Sequence, residues 1–354
     1  MTDVLTQAPT APGEAETTSA LTHSRTHALP CLGFLGVGWI GRHRMEAIAQ
    51  SGFGRVAAVA DTSAEMIDAA RQGAPDAQVA DGLDGLLRMG LDGIVIATPS
   101  AMHAEQSIRA LEAGVAVFCQ KPLGRTADEV RRVVDAARAA DRLLAVDLSY
   151  RFTAGMRAIR ERIAGGGLGK VYAVDLVFHN AYGPDKPWFY DPALSGGGCV
   201  MDLGVHLVDL ALWALDFPVV ENVTSRLFAG GEALGASADR CEDYATARVD
   251  LADGTAVDLA CSWKVSAGQD AVIGASFYGT GGGAALRNVD GSFYDFTAEA
   301  YHGTSRETLA TPPDEWGGRA AVDWARRLSE GARFDPSAER LVDVAAVLDR
   351  IYGR

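Results

Sequence analysis

The sequence has few cysteines, no long uninterrupted apolar run and a shortage of basic residues. Its five cysteines are an odd number without a CxxC pair, which argues against disulfides and zinc knuckles and favours the cytoplasm. Asp, Arg or Gly interrupts every apolar run before the ~18 residues that a membrane span needs. Lys plus Arg number 32 against 46 for Asp plus Glu, and the net charge of −14 disfavours nucleic acid and membranes as partners.

What remains is the composition of an ordinary globular protein long enough for two domains. The chain has 354 residues, of which 48% are hydrophobic and 22% are charged. Residues 1–29 are rich in Thr, Ala, Ser and Pro and lack the basic start and apolar centre of a secretion signal. We expect them to form a disordered tail.

Residues 30–150 alternate short, wholly apolar strands with helices. Strands are expected near 32–36, 55–60, 78–80, 93–98, 115–119 and 143–148, with helices near 42–50, 64–72, 82–89, 102–113 and 126–140. Strands of that kind belong to a parallel sheet that helices cover on both faces. The pattern predicts an α/β fold with a doubly wound, Rossmann-like parallel sheet.

Residues 151–336 have longer strands, some with alternating apolar and polar residues. The turn Asp253–Gly254 joins the predicted strands 244–251 and 256–263 into a hairpin, and further strands are expected at 171–178, 271–278 and 292–300. The pattern predicts a C-terminal α+β domain with a large, mostly antiparallel, open-faced sheet. Helices are expected at 319–330 and in the C-terminal residues 337–354, the latter able to pack back on the first domain.

The segment Gly36-Val37-Gly38-Trp39-Ile40-Gly41 has the GxGxxG spacing of a dinucleotide-binding turn, directly between a strand and a helix. Asp61 follows Gly41 by 20 residues, at the end of the next strand. A carboxylate there accepts hydrogen bonds from a ribose and repels a 2′-phosphate. This favours NAD over NADP, whereas a glycine-rich turn without a ligand is the alternative.

Two further places concentrate polar side chains. Lys121 follows a predicted strand of the first domain, where it either points at the cofactor or is simply solvated. Asp202 and His206 are four residues apart, so on an α-helix they share one face. They could act as a pair, or as a helix cap and a buried core histidine. No second His or Cys lies at ligand spacing, so we expect no metal.

These segments together resemble the glucose–fructose oxidoreductase/inositol dehydrogenase (Gfo/Idh/MocA) family. The matching motifs are GVGWIG at 36–41, ATPSAMH at 97–103, QKP at 120–122 and GGGCVMDLGVH at 196–206. The resemblance implies that Lys121, Asp202 and His206 are the catalytic residues and also touch the substrate. It also places the cofactor against the following residues: Gly36, Val37, Gly38, Trp39, Ile40, Gly41, Asp61, Thr98, Pro99, Ser100, His103, Gln120 and Lys121.

One position departs from the family pattern. The family has Glu before the motif lysine, and this chain has Gln120, which keeps the hydrogen-bonding reach but loses the charge. The exchange leaves the strength of cofactor binding and the pH optimum open. Additional substrate contacts are predicted for Arg151 and His179, while Tyr150, Tyr182, Asp185, Trp188 and Lys264 are weaker candidates.

The resulting hypothesis is an NAD-dependent oxidoreductase that removes a hydride from a secondary alcohol of a sugar, inositol or related polyol. His206 would be the general base, Asp202 would orient its imidazole, and Lys121 would stabilise the reacting oxygen. A glycoside hydrolase or lyase that retains its NAD, and a non-catalytic dinucleotide sensor, are the alternatives. The family resemblance also implies a homo-oligomer, a dimer or tetramer, built through the second sheet.

Overall fold

A computed structural model describes Met1 and residues 29–235 and 239–354, so almost all of the predicted tail lies outside the described residues. The first sheet has six parallel strands in the order β3-β2-β1-β4-β5-β6. Its strands are β1 (Cys31–Leu35), β2 (Arg55–Ala60), β3 (Gln78–Val79), β4 (Gly93–Ile96), β5 (Ala116–Cys119) and β6 (Leu144–Val146). Its helices are α1 (Trp39–Ser51), α2 (Ala64–Gly73), α3 (Gly82–Leu87), α4 (Ser100–Glu112) and α5 (Ala127–Ala140).

Helices cover both faces of this sheet, as the continuous apolar strands predicted. Every residue of β4 and β5 is buried, because each strand face meets a helix. The predicted start of α5 is also confirmed, since the Thr126 side chain accepts a hydrogen bond from the Glu129 amide as an N-cap. The doubly wound parallel sheet is therefore present.

The second sheet has nine strands in the order β15-β14-β13-β12-β7-β11-β10-β8-β9. All neighbouring strands pair antiparallel except β7 and β11, which are parallel. The strands are β7 (Val171–Asn180), β8 (Val220–Ala229), β9 (Glu232–Ala233), β10 (Tyr244–Leu251), β11 (Ala256–Ser262), β12 (Ala271–Gly279), β13 (Gly283–Asn288), β14 (Phe296–His302) and β15 (Ser305–Ala310). The mostly antiparallel second sheet is confirmed.

One face of the second sheet is dry and the other is open. The helices α6 (Ala154–Ala164) and α8 (Val205–Ala214) cover the dry face, with the four-residue helix α7 (Pro192–Ser195) preceding α8. Alternate residues of the strands, such as Leu176 and Phe178 of β7, pack into the core beneath these helices. The intervening residues lie on the open face, as the alternating pattern predicted.

The last two helices return to the first sheet. In α9 (Arg319–Ser329), Trp324 is fully buried against the first sheet, with its ring 5.8 Å from Phe118. The predicted boundary, which placed 151–336 in the second domain, is therefore wrong for α9. The helix α10 (Arg340–Tyr352) packs between the two cores, because Ala345 belongs to the first and Val347 to the second.

The stretch Pro192–Ala214 is long and apolar enough to cross a membrane, but 89% of its apolar window is buried inside the fold. It contains α7, a π-helical turn (Val200–Gly204) and α8. Its hydrophobicity is explained by its position between the second sheet and the cleft described below. It is a core helix, and it carries two of the predicted catalytic residues.

Candidate active site

A cleft of about 2330 Å³ lies where the carboxyl ends of the first sheet face the second sheet. Open α/β sheets bind ligands at this edge. The predicted site residues that line it come from five separate segments of the chain. They are Gly36, Gly38, Trp39, Ile40, Asp61, Thr98, Pro99, Ser100, His103, Gln120, Lys121, Asp202 and His206. The structure thus brings these residues to one place, whereas Val37 and Gly41, which were also predicted to touch the cofactor, are not among the lining residues.

The glycine turn has the shape that a pyrophosphate needs. A Cβ on Gly38 would meet no atom within 4 Å, so the backbone there is open to the cleft. A Cβ on Gly41 would lie 2.0 Å from the Gly36 carbonyl oxygen, so only glycine lets α1 pack this closely on the turn. No side chain caps the start of α1, and its first amide groups are available to an anion. These residues fit a dinucleotide.

Asp61 lies at the carboxyl end of β2 and is held by two backbone amides. Its Oδ2 accepts a hydrogen bond from Val37 at 2.8 Å, and its Oδ1 accepts one from Ser63 at 2.9 Å. The side chain therefore links the glycine turn to the start of α2. Asp61 lines the cleft, and its carboxylate oxygens keep lone pairs that can accept a hydrogen bond from a ribose hydroxyl.

His103 joins two walls of the cofactor side of the cleft. Its Nδ1 lies 2.7 Å from the Pro122 carbonyl oxygen and its Nε2 lies 2.7 Å from the Thr98 carbonyl oxygen. Burial lowers the pKa of His103, although both carbonyl groups oppose that shift by accepting hydrogen bonds. The ring is 1% exposed, so it supports the loop that carries Lys121 rather than offering itself to a ligand.

Lys121 and Asp202 form an ion pair across the cleft. The Lys121 Nζ donates to the Asp202 Oδ1 at 2.6 Å and to its backbone oxygen at 2.8 Å. The Trp263 indole nitrogen, at the end of β11, donates to the other carboxylate oxygen at 3.1 Å. Residues 81 positions apart in the chain therefore meet, and the ammonium is held at one point of the cleft.

The pairing of Asp202 with His206 that the i, i+4 spacing suggested is wrong. Asp202 lies within a π-helical turn (Val200–Gly204), and this wider turn changes the angular offset from His206 that an α-helix would give. Asp202 therefore contacts Lys121 and Trp263, while His206 packs against the Tyr150 ring at 4.9 Å.

His206 is 7% exposed, and its Nδ1 is buried without a hydrogen-bond partner among the described residues. Burial lowers the pKa of His206 well below its usual value, and the positive charges of Lys121 and Arg44 lower it further. The imidazole is therefore neutral at pH 7. Because the residue lines the cleft, its Nε2 is the nitrogen left for a substrate.

A carboxylate stands beside Gln120, although the chain has no acid at that position. The Gln120 amide donates to Asp147, which follows β6, and Arg44 of α1 donates to the same oxygen at 2.6 Å. All three side chains are buried and line the cleft. The negative charge that is missing from position 120 is thus supplied by Asp147 after the neighbouring strand, where it is paired with the Arg44 guanidinium.

The two additional substrate contacts are not supported, since neither Arg151 nor His179 is among the described residues that line the cleft. Arg151 donates to both oxygens of the buried carboxylate of Asp209, which needs a counter-charge. His179 lies on the open face of the second sheet, stacked on Tyr244 and hydrogen-bonded to Ser262 at 2.7 Å. The sequence pattern shows where a strand ends, but it does not show whether a side chain there points into the cleft or away from it.

Other cleft residues were missed or only weakly predicted. Asp185, Trp188 and Tyr150 line the cleft, whereas Tyr182 and Lys264 are absent from the described lining. No motif in the sequence points to the aromatic residues that later segments contribute to the lining, namely Phe189, Phe293, Tyr294 and Trp316. Among the described residues, no group of three or more His, Cys, Asp or Glu side chains could hold a metal ion.

Two protein-family models match this chain. Residues 32–148 match the family model of an oxidoreductase family with an NAD-binding Rossmann fold, and residues 156–285 match the GFO/IDH/MocA C-terminal domain. The D-glucoside 3-dehydrogenase of Escherichia coli (strain K12) is 29% identical over 57% of this chain and 60% of that protein. The inositol 2-dehydrogenase 3 of Saccharopolyspora erythraea is 30% identical over 53% of this chain and 54% of that protein.

The chain thus aligns with just over half the length of these curated relatives. A solved structure of levoglucosan dehydrogenase, in complex with NADH and levoglucosan, superposes with a TM-score of 0.78. It is 20% identical and covers 92% of this chain and 96% of that chain, which shows that the fold is shared throughout. The two family models cover both halves of the cleft, and the chain belongs to the GFO/IDH/MocA family of oxidoreductases.

Proposed function

We propose that the protein is an NAD-dependent dehydrogenase that oxidises a secondary alcohol of a sugar, inositol or related polyol. The observation that carries the proposal is the Lys121–Asp202 ion pair beside a neutral, buried His206, in the same cleft as the glycine turn. NAD, when bound, supplies the hydride acceptor. The relatives named for glucoside and inositol dehydrogenation support the substrate class.

Lys121 and Asp202 would act on the oxygen of the reacting alcohol. The ammonium donates a hydrogen bond to that oxygen and stabilises the negative charge that develops as the hydride leaves. Asp202 holds the ammonium in place, and Trp263 holds the carboxylate. Because the donor is already oriented before the substrate arrives, little reorganisation is needed during the reaction.

His206 would accept the hydroxyl proton at Nε2. Its low pKa keeps the ring in the neutral form that a general base requires. Arg44 and Lys121 disfavour the imidazolium, so the proton leaves again readily after the alcohol has been oxidised. The buried Tyr150 ring packs on the imidazole and holds its plane.

NAD is the preferred cofactor in this proposal. The Asp61 carboxylate, fixed by Val37 and Ser63, would repel the 2′-phosphate of NADP at the ribose. The Asp61→Ala variant should therefore show a lower ratio of the turnover rate with NAD to the turnover rate with NADP. An unchanged ratio would contradict the role given to Asp61.

The direct test is a panel of polyols, aldoses and inositols assayed by nicotinamide absorbance, with NAD and NADP side by side. Net NADH formation on at least one compound is the expected result. Turnover without net NADH would indicate a hydrolase or lyase that retains its cofactor. Tight NADH binding without turnover on any compound would favour a dinucleotide sensor.

The five cysteines are all free, which supports a reducing compartment such as the cytoplasm. The open face of the second sheet supports a homo-oligomer, because β7, β10 and β11 present small and uncharged residues there as well as charged ones. We expect a second copy of the chain to cover this face.

A further inference from the structure

Three of the four consecutive amide groups just before Asp202 are bound by two side chains from distant parts of the chain. The buried Glu242 carboxylate accepts hydrogen bonds from the amides of Gly198 at 2.9 Å and Val200 at 2.8 Å. The Tyr352 hydroxyl accepts one from the amide of Met201 at 3.1 Å and donates to Glu242 at 2.8 Å. The first turn of the segment that carries Asp202 is therefore held from outside the segment.

The remaining amide, that of Cys199, donates to the backbone oxygen of Glu242 at 3.0 Å. The contact is close, since a Cβ on Gly198 would lie 1.9 Å from that same oxygen. Every group facing the Glu242 carboxylate oxygens is a donor, which suits the ionised form. Burial raises the pKa of Glu242, and these donors oppose that shift by stabilising the carboxylate.

The same end of the chain also contacts the loop that carries Lys121. The Asp349 carboxylate accepts a hydrogen bond from the Ala127 amide at 2.8 Å, six residues after Lys121. Arg354 donates to the Gly196 oxygen at 2.9 Å and to the Arg125 oxygen at 3.3 Å. The end of α10 is thus tied to both segments that form the catalytic ion pair.

We propose that Glu242 and Tyr352 are positioning residues that fix Asp202 opposite Lys121, so that the last turn of α10 sets the geometry of the catalytic ion pair. The expected effect on kcat rests on the proposed function. The expected effect on the position of Asp202 opposite Lys121 does not. A small rotation of residues 198–201 would move Asp202 away from the ammonium, and misplacement of about 1 Å at a reacting centre can cost ~100-fold in rate.

The test compares Tyr352→Phe with Ser225→Ala. The first removes only the hydroxyl that joins Met201 to Glu242. The second removes a hydrogen bond from the Ser225 hydroxyl to the Ile351 oxygen, which anchors α10 without touching residues 198–201. We expect Tyr352→Phe to lower kcat about tenfold or more while the KM for NAD changes less than about twofold. Ser225→Ala should leave both constants close to those of the parent.

A second measurement reports on the Lys121–Asp202 ion pair and does not depend on enzymatic activity. The chain has only four lysines, so acetylation by N-hydroxysuccinimidyl acetate can be followed at each by mass spectrometry. Lys121 should react faster in Tyr352→Phe and in Glu242→Gln than in the parent, with Lys170 as the internal reference. Glu242→Asp, which keeps the charge, should recover part of the parent rate.

The outcomes separate the two proposals. If the parent protein oxidises no compound of the panel, the proposed function fails, and the acetylation rates alone decide the positioning role. If Tyr352→Phe and Ser225→Ala behave alike in kcat and in Lys121 acetylation, the positioning role is overturned. Loss of NADH binding in Tyr352→Phe would also overturn the positioning role, because Glu242 and Tyr352 would then support the whole cleft and not Asp202 in particular.

Discussion

At the scale of single residues, the ammonium of Lys121 depends on a carboxylate that the other half of the chain provides. The two side chains are 19% and 15% exposed, so solvent does not replace their contact freely. The nearby Arg44–Asp147 pair is still more buried. Both ion pairs lie on the walls of the cleft.

Lys121→Ala and Asp202→Asn should each lower kcat by about two to three orders of magnitude, because an oriented donor to the reacting oxygen is lost. NADH affinity, measured by titration calorimetry, should stay close to that of the parent. Lys186→Ala is the matched control, since Lys186 also lines the cleft but pairs only with its exposed neighbour Asp185. Near-parent turnover in both catalytic variants would contradict the assigned roles.

His206 gives a pH prediction whose sign follows from its lowered pKa. The neutral base should persist below pH ~6.5, so kcat/KM should begin to fall only at more acidic pH. The unfolded chain binds this proton near pH 6.5 and the folded chain does not, so stability falls as the pH drops below that value.

Melting temperatures of the parent and His206→Gln, measured from pH 8 to pH 5, would isolate this contribution. The parent should lose more stability than the variant below about pH 6.5, and the two should run in parallel above it. An activity profile with its acidic limb above pH 7 would show that His206 is not the base.

At the scale of elements, the turn between β1 and α1 offers a matched pair of substitutions. Gly38→Ala should fold normally, because its Cβ meets no protein atom, but should weaken NADH binding at least about tenfold by blocking the pyrophosphate. Gly41→Ala should instead lower the stability by about 1–3 kcal/mol or more, since its Cβ collides with the Gly36 oxygen. Calorimetric titration and thermal melting distinguish the two effects.

The elements that the sequence revealed are those with a buried apolar pattern. All six strands of the first sheet were predicted, because each is covered on both faces or bounded by clear turn residues. The strands β8, β9, β13 and β15 were missed. Half of the residues of β8 and most of those of β15 are exposed and polar, so the local pattern resembles that of a loop. Only pairing with a neighbouring strand makes these segments strands.

The site divides in a similar way. The glycine turn, Asp61, Lys121, Asp202 and His206 were identifiable because motif spacing reports them directly. The partner of Asp202 was not, since a π turn within a helix has no signature in the residue pattern. Trp263, Glu242 and Tyr352 reach the site through tertiary packing alone, which local sequence does not encode.

At the scale of the whole molecule, the open face of the second sheet predicts the assembly. Ala260 of β11 lies near the middle of that face, opposite Val177 of β7, and borders a shallow depression of about 550 Å³. Ala260→Glu should shift the protein towards the monomer in light scattering coupled to size exclusion, because a second copy would bury the added charge. Ala113→Glu, on the exposed end of α4, is the matched control.

If both variants and the parent have the same mass, the open face is not the interface. A parent that is already monomeric at micromolar concentration would contradict the predicted oligomer itself.

The return of α9 to the first sheet limits how this protein can be divided. Trp324 fills the space beside Phe118 although some two hundred residues separate them in the chain. A gene fragment that ends at residue 150 would leave this hydrophobic socket vacant and would aggregate instead of yielding a nucleotide-binding module. Any chimera that grafts this module onto another protein must therefore carry the α9 segment along, as a second insert or by circular permutation.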